Sequence, residues 1–330
     1  MIGRIFQQII LAHENYVLPK AEIDRGMGDF SVNVFSALKN PHNFFIGLAV
    51  ALSFGVVILA YYFFMTSRAG IALDRRFIRL EPAGHAMLRL ALAASFIASG
   101  YFNSFLGPEI PLSSLPFGDL IRPLLYIVGL LLILGLFTEL ASIIGLAILA
   151  MASFVYKDYM LTYFNYFGEF LALIFFGSRF FSFDKVLSKT QVWLAKFKDW
   201  EIPVIRIAYG ISVLYPAITI KILHPSIIIE IVQKYNLAQF HWLFPSDPLL
   251  ISLGTGLAQI AVGLCIIAGF ETRLNALITF VLYLMSILFF KEAVWPHYIL
   301  LALALYLVIN DGGGYSVDRL ILKKYDRRRT

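Results

Sequence analysis

Long apolar runs follow one another along this chain, each near the length a helix needs to cross a bilayer, and this feature most constrains the fold. A crossing helix needs about 20 mostly apolar residues to span a hydrocarbon core of about 30 Å. Nine such runs can be read, at 44–65, 87–106, 123–137, 140–156, 163–177, 203–222, 249–269, 274–290 and 295–310. Two pairs of runs are separated only by tight breaks, Phe137-Thr138-Glu139 and Phe270-Glu271-Thr272-Arg273. Each break puts a charge or hydroxyl where the apolar stretch would otherwise be too long for one span, which predicts helical hairpins. The apolar residues come in blocks and do not alternate, which argues against a strand barrel. Composition agrees: 59% of the 330 residues are hydrophobic and 15% charged, against about 45–50% and about 25% in soluble domains. A soluble or disordered chain is excluded. The net charge of +6 is not gathered into a basic domain, so no nucleic-acid partner is expected, and the lipid bilayer is.

Lys and Arg set the orientation. One side carries eighteen of them, including Arg68, Arg75, Arg76, Arg79, Arg179, Arg273 and the basic tail 323–330, and the other carries nine. The reading is a multi-pass cell-membrane protein with a cytoplasmic C-terminus and the N-terminal tail outside. Segment 1–12 has too short an apolar run for a signal-peptide core. It reads either as part of that tail or as an amphipathic helix on the membrane surface. The single cysteine, Cys265, allows no internal disulfide and no zinc or iron–sulfur ligand set, and reads as a small buried hydrophobe.

An internal repeat appears at an offset of 134 residues. Gly129 matches Gly263, Gly135 matches Gly269, Thr138 matches Thr272, Lys157-Asp158 matches Lys291-Glu292, and Ser182-Phe183-Asp184 matches Ser316-Val317-Asp318. The first helix of each copy opens with an arginine, Arg89 or Arg206, and the second copy is longer by 17 residues around 221–248. The expected fold class is therefore all-α integral membrane: about nine transmembrane helices, as one N-terminal helix plus two tandem parallel four-helix bundle repeats. The expected segments are a tail and first span (1–86), a first unit (87–187), an amphipathic cytoplasmic linker (188–202), a second unit (203–322) and a basic tail (323–330).

Each unit resembles the DoxX/DoxD-like family of four-helix membrane proteins. The resemblance rests on the opening arginine, on Gly135-Leu136-Phe137-Thr138-Glu139-Leu140-Ala141 and its partner Gly269-Phe270-Glu271-Thr272-Arg273-Leu274-Asn275-Ala276, and on the closing segments 177–184 and 312–320. It covers roughly 85–322. In the first unit Glu139 stands where the family pattern has the arginine seen at Arg273. The resemblance implies thiosulfate:quinone-type redox in a membrane complex, with a bound quinone. No redox cofactor site is evident in the chain, so electrons would come from a redox partner protein or other subunits of a membrane complex.

Ionisable groups at membrane depth are costly and suggest function. Glu169 is the candidate catalytic residue. Thr162, Asn165, Tyr166 and Glu169 follow i, i+3, i+4, i+7 and share one helix face, with Gly168 beside them for close approach. The matching face of the second unit, Pro296, Ile299, Leu300 and Leu303, is apolar. A protonated carboxyl there can donate to a quinone carbonyl or relay a proton; the plainer alternative is a carboxyl paired with a neighbouring helix. Ser95, Ser99 and Asn103 repeat every four residues and are expected to face Glu169. With Tyr166 and Asn165, Ser99 and Asn103 are the candidate substrate-binding residues. Thr255 and Gln259 form a similar pair in the second unit. Arg89 with Asp184, and Arg206 with Asp318, are expected as structural ion pairs, and Glu139 with Arg273 as a bridge between units.

His224, His241 and His297, with Glu109, Asp119, Glu230 and Asp247 nearby, show no metal-ligand spacing, so no metal is expected. The loop Phe240-His241-Trp242-Leu243-Phe244-Pro245 reads as an interfacial aromatic belt, a re-entrant cap or a substrate lid. Segment 179–202 reads as an amphipathic helix on the inner leaflet. Two other functions stay open: a non-catalytic scaffold or assembly subunit of a membrane complex, and a small-molecule permease.

Overall fold

The computed structural model describes residues 17–177, 181–186, 195–237, 245–290 and 295–320, and among these the regular elements are helical. In chain order they are α1 (Lys20–Gly28), α2 (Pro41–Thr66), α3 (Arg68–Tyr101), α4 (Gly118–Leu134), α5 (Thr138–Tyr156), α6 (Phe164–Phe176), α7 (Phe183–Val186), α8 (Glu201–Pro216), α9 (Pro225–Lys234), α10 (Pro248–Ala268), α11 (Thr272–Phe290) and α12 (Trp295–Asn310). Among the described residues four stretches are long and apolar enough to cross a membrane: Pro41–Thr66, Thr138–Phe175, Glu201–Ile222 and Pro248–Ala268.

Local chemistry sets the boundaries. α2 starts where the Asn40 side chain accepts from His42 N–H, with Pro41 in the first turn; proline suits that position because its missing N–H would be unpaired anyway. Ser67 ends α2 and caps α3 by accepting from Gly70 N–H at 3.2 Å. Asp247 does the same for α10 at Leu249 N–H, 2.9 Å. α5 and α6 are divided by Lys157, whose φ of 49° and ψ of −127° break the helix before the 3-10 turn Lys157–Tyr163.

The helices close a circuit. α3 packs on α4, α4 on α5, α5 on α6, α6 on α8, α8 on α10, α10 on α11, α11 on α12, and α12 returns to α3. The main core fills this circuit, with Phe96, Phe170, Tyr166, Tyr209 and Tyr306 fully buried. Glycine permits the tightest joint. At Gly168 in α6 a β-carbon would strike Ala208 and lie 3.0 Å from Val204 O, both in α8. α2 stands apart: none of its most apolar window is buried within the protein.

Several expectations change here. The run at 87–106 is the second half of a 34-residue helix that begins at Arg68, so the expected boundary at 86/87 falls inside a helix. The longer loop at 221–248 contains α9, whose apolar side packs with Val17, Leu18, Ile23 and Met27 of the N-terminal segment into a second core. Lys234 Nζ donates to Val17 O at 2.6 Å and Ser226 Oγ to Asp29 at 2.8 Å. The N-terminal segment is thus docked over the second half of the chain. Residues 1–12, residues 188–194 of the linker, the loop residues 240–244 and the tail 323–330 lie outside the described residues.

Candidate functional site

α6 brings Asn165, Tyr166 and Glu169 onto one buried face. Glu169 is 0% exposed. Its Oε1 accepts from Asn165 Nδ2 at 3.0 Å, and its Oε2 is buried without a hydrogen-bond partner. Asn165 is held in turn by α8: its backbone N–H donates to Ser212 Oγ at 2.7 Å, and Ser212 Oγ lies 3.3 Å from Asn165 Oδ1. Tyr166 OH shares a hydrogen bond with Ser95 Oγ of α3 at 2.6 Å. Ser99 Oγ donates to Ser95 O at 2.8 Å and accepts from Leu106 N–H at 3.1 Å. The group therefore joins α3, α6 and α8.

Asn103 leaves the stripe. α3 ends at Tyr101, and Asn103 follows in the left-handed region (φ 53°), exposed, with its carbonyl accepting from Leu112 N–H. Asparagine tolerates that conformation, so the four-residue spacing runs past the helix without placing Asn103 beside Glu169.

Next to this group, Tyr159 OH donates to Glu109 Oε1 at 3.1 Å. Tyr163 OH is buried without a partner, its ring 6.0 Å from that of Tyr159 and 6.2 Å from that of Tyr166. Burial pushes the Glu109 carboxyl up to about 7, against the Tyr159 hydrogen bond.

The two turns at 134-residue offset carry the same bonds. Asp184 accepts from Phe137 N–H at 2.9 Å and Thr138 N–H at 3.2 Å, and Asp318 from Glu271 N–H at 2.7 Å and Thr272 N–H at 3.0 Å. Each aspartate thus satisfies donors at a helix N-terminus, which favours negative charge. Arg89 Nη2 donates to Phe181 O at 2.6 Å and Arg206 Nη2 to Tyr315 O at 2.7 Å. The arginines brace the backbone three residues before each aspartate. Arg273 Nη2 pairs with Asp74 of α3 at 2.6 Å and sits over the Phe77 ring. It joins α11 to α3, where the expected link was to Glu139.

A buried group missed by sequence reasoning lies where α3, α8 and α12 meet. His85 Nε2 contacts Glu201 Oε1, His85 Nδ1 lies 2.8 Å from Glu81 O, and Tyr306 OH donates to Glu201 Oε1 at 2.8 Å. A histidine just before an apolar run and a glutamate opening another were the signals, but their partnership spans more than a hundred residues. In the second half, Gln259 Nε2 donates to Val213 O at 2.9 Å and Thr255 Oγ1 to Ile251 O at 2.8 Å, so both serve packing. His224 is buried against Phe30, and His297 lies beside Tyr283. Glu230 meets Arg25 at 3.8 Å, and Asp247 accepts from Asn43 at 2.6 Å. Among the described residues no group of three or more His, Cys, Asp or Glu is arranged to hold a metal ion.

Burial, with the charges of Asp318 and Asp311, pushes the Glu271 carboxyl from 4.5 up to about 7. The folded chain then holds this proton more tightly than the unfolded chain does. That stabilisation is complete below the unfolded value and is lost as pH rises through the folded one. Raising pH from about 5 to about 8 is expected to lower the melting temperature in detergent. Glu271→Gln is expected to flatten the dependence in part, and Glu271→Gln with Glu109→Gln to flatten it further. An unchanged slope in the double variant would refute the assignment.

No family model, curated protein or solved structure matches this chain.

Proposed function

We propose that the chain is a polytopic subunit of a quinone-linked membrane redox system, with Glu169 as the group that exchanges a proton with a lipid-soluble substrate. The proposed frame is nine spans, one N-terminal helix and two tandem four-helix units; the matching bonds of Asp184 and Asp318 support the pairing of units. One observation carries the functional reading: a fully buried carboxyl with one oxygen bound to Asn165 and the other without a partner. Burying a polar group without a hydrogen bond costs free energy, and the matching face of the second unit uses only apolar residues. A quinone carbonyl oxygen accepts hydrogen bonds, one of which a carboxyl O–H can supply. Asn165 orients that carboxyl, Asn165, Tyr166 and Ser99 are the proposed substrate-binding residues, and electrons come from a partner protein.

The test is to purify the chain in mild detergent, record its visible spectrum and extract its lipids. Co-purifying quinone, lost in Glu169→Gln, is the expected result; no quinone from wild type overturns the reading. A scaffold role is the second reading, favoured by α2, whose apolar surface is left uncovered by the other described residues. Stoichiometric protein partners with no bound quinone would select it.

A further inference from the structure

At the arginine-rich end, two cavities share Arg273 and Asp311. The first, about 50 Å³, lies between the end of α2 (Tyr61, Tyr62) and the turn that opens α11 (Glu271, Arg273). The second, about 280 Å³, runs past Glu81 and Asp74 of α3 to Arg319. None of these residues belongs to the Glu169 group.

Arg273 is 6% exposed. One nitrogen meets Asp74, while Nε and Nη1 are buried with no hydrogen-bond partner. A guanidinium in that state is completed by an oxyanion, to which it makes short, strong, charge-assisted bonds. The same walls hold an excess of acid. Glu271, Asp311 and Asp318 line the first cavity with one arginine, Arg273, and burial raises the Asp311 carboxyl despite Arg273. An ammonium relieves that crowding. The described carboxylates lack a metal-ligand arrangement, and two tyrosine rings line the wall, a surface that attracts organic cations.

We propose that the two cavities, which share Arg273 and Asp311 as walls, together bind a small zwitterion, its oxyanion held by Arg273 and Arg319 and its ammonium by Asp311 and Glu271 beside Tyr61 and Tyr62. The chemistry is that of phosphoethanolamine, either as the headgroup of a bilayer lipid lying along the uncovered face of α2 or as the free molecule. The proposal is independent of the reading of Glu169.

The test uses the purified full chain in micelles doped equally with phosphatidylethanolamine and phosphatidylglycerol, with retained lipid counted by native mass spectrometry. The second lipid has the phosphate without the ammonium. Wild type is expected to retain the first over the second by about tenfold, the worth of one charge-assisted contact. Asp311→Asn is expected to abolish that preference, Arg273→Lys to lower retention of both lipids, and Arg319→Gln, nearer the surface, to lower it in part if the others fail to fold. Saturable binding of free phosphoethanolamine by calorimetry, weakened by the same variants and without lipid preference, supports the site with a soluble ligand. Equal retention of both lipids with no binding of the free molecule overturns the proposal, as does binding that all three variants leave unchanged.

Discussion

Gly269→Val is expected to prevent the chain from reaching a stable fold. Gly269 closes α10 at φ +69°, a left-handed conformation that a β-branched residue adopts at a cost of about 1–2 kcal/mol or more. A β-carbon there would fall within the Arg206 guanidinium and 2.5 Å from Ser316 Cβ. The arginine would have to leave Tyr315 O, a charge-assisted bond worth about 1.5–3 kcal/mol, and remain buried. Asp318 N–H, which donates to Gly269 O at 2.9 Å, would shift with it, loosening the cap on α11. These terms sum to about 2.5–5 kcal/mol before the steric clash is counted, which reaches the low end of the whole stability of a typical domain. The measurement is the monodisperse fraction on detergent size exclusion, with thermal melting. Gly254→Ala is the control: it is exposed in the middle of α10, with nothing within 4 Å of an added β-carbon, and its melting temperature is expected to hold or rise. Equal losses in the two variants would show that the turn is not special.

Glu169→Leu is expected to separate stability from activity. Removing the partnerless Oε2 costs no hydrogen bond, while stranding the buried Asn165 Nδ2 costs about 1–3 kcal/mol, a moderate loss of stability. The lost acceptor for Asn165 Nδ2 is the main cost, and Glu169→Gln keeps that acceptor. If the carboxyl moves a proton, either variant should lower quinone turnover in native membranes by about 100-fold or more, the usual contribution of general acid–base catalysis. A purely structural carboxyl predicts the reverse pattern: a large fall in melting temperature for Glu169→Leu, with turnover per folded molecule unchanged.

The sequence was most legible where the determinants are local. The run at 249–269 appears as Pro248–Ala268 because Asp247, Pro248 and Gly269 punctuate both ends. The break at Thr272 is a turn because glycine supplies the left-handed residue and a distant aspartate caps the next helix. The buried face of Asn165, Tyr166 and Glu169 was readable from 3.6-residue spacing, and the Gly168 contact with α8 from the small-residue rule. Spacing misled at Asn103, because periodicity does not say where a helix stops. It was silent on His85 with Glu201, on Arg273 with Asp74, and on the N-terminal segment against α9. Each of those links residues more than a hundred positions apart, and charges alone name many partners for each arginine.

The most direct test of the account is infrared difference spectroscopy of the quinone-loaded protein during reduction. A carboxyl that donates to a reacting quinone changes its own carbonyl stretch when the quinone is reduced. A carboxyl difference band is expected in wild type, shifted in Asn165→Ala, which removes the amide bonded to Oε1, and absent from Glu169→Gln. A band that persists unchanged in Glu169→Gln, or its absence from wild type with quinone bound and reduced, would contradict it.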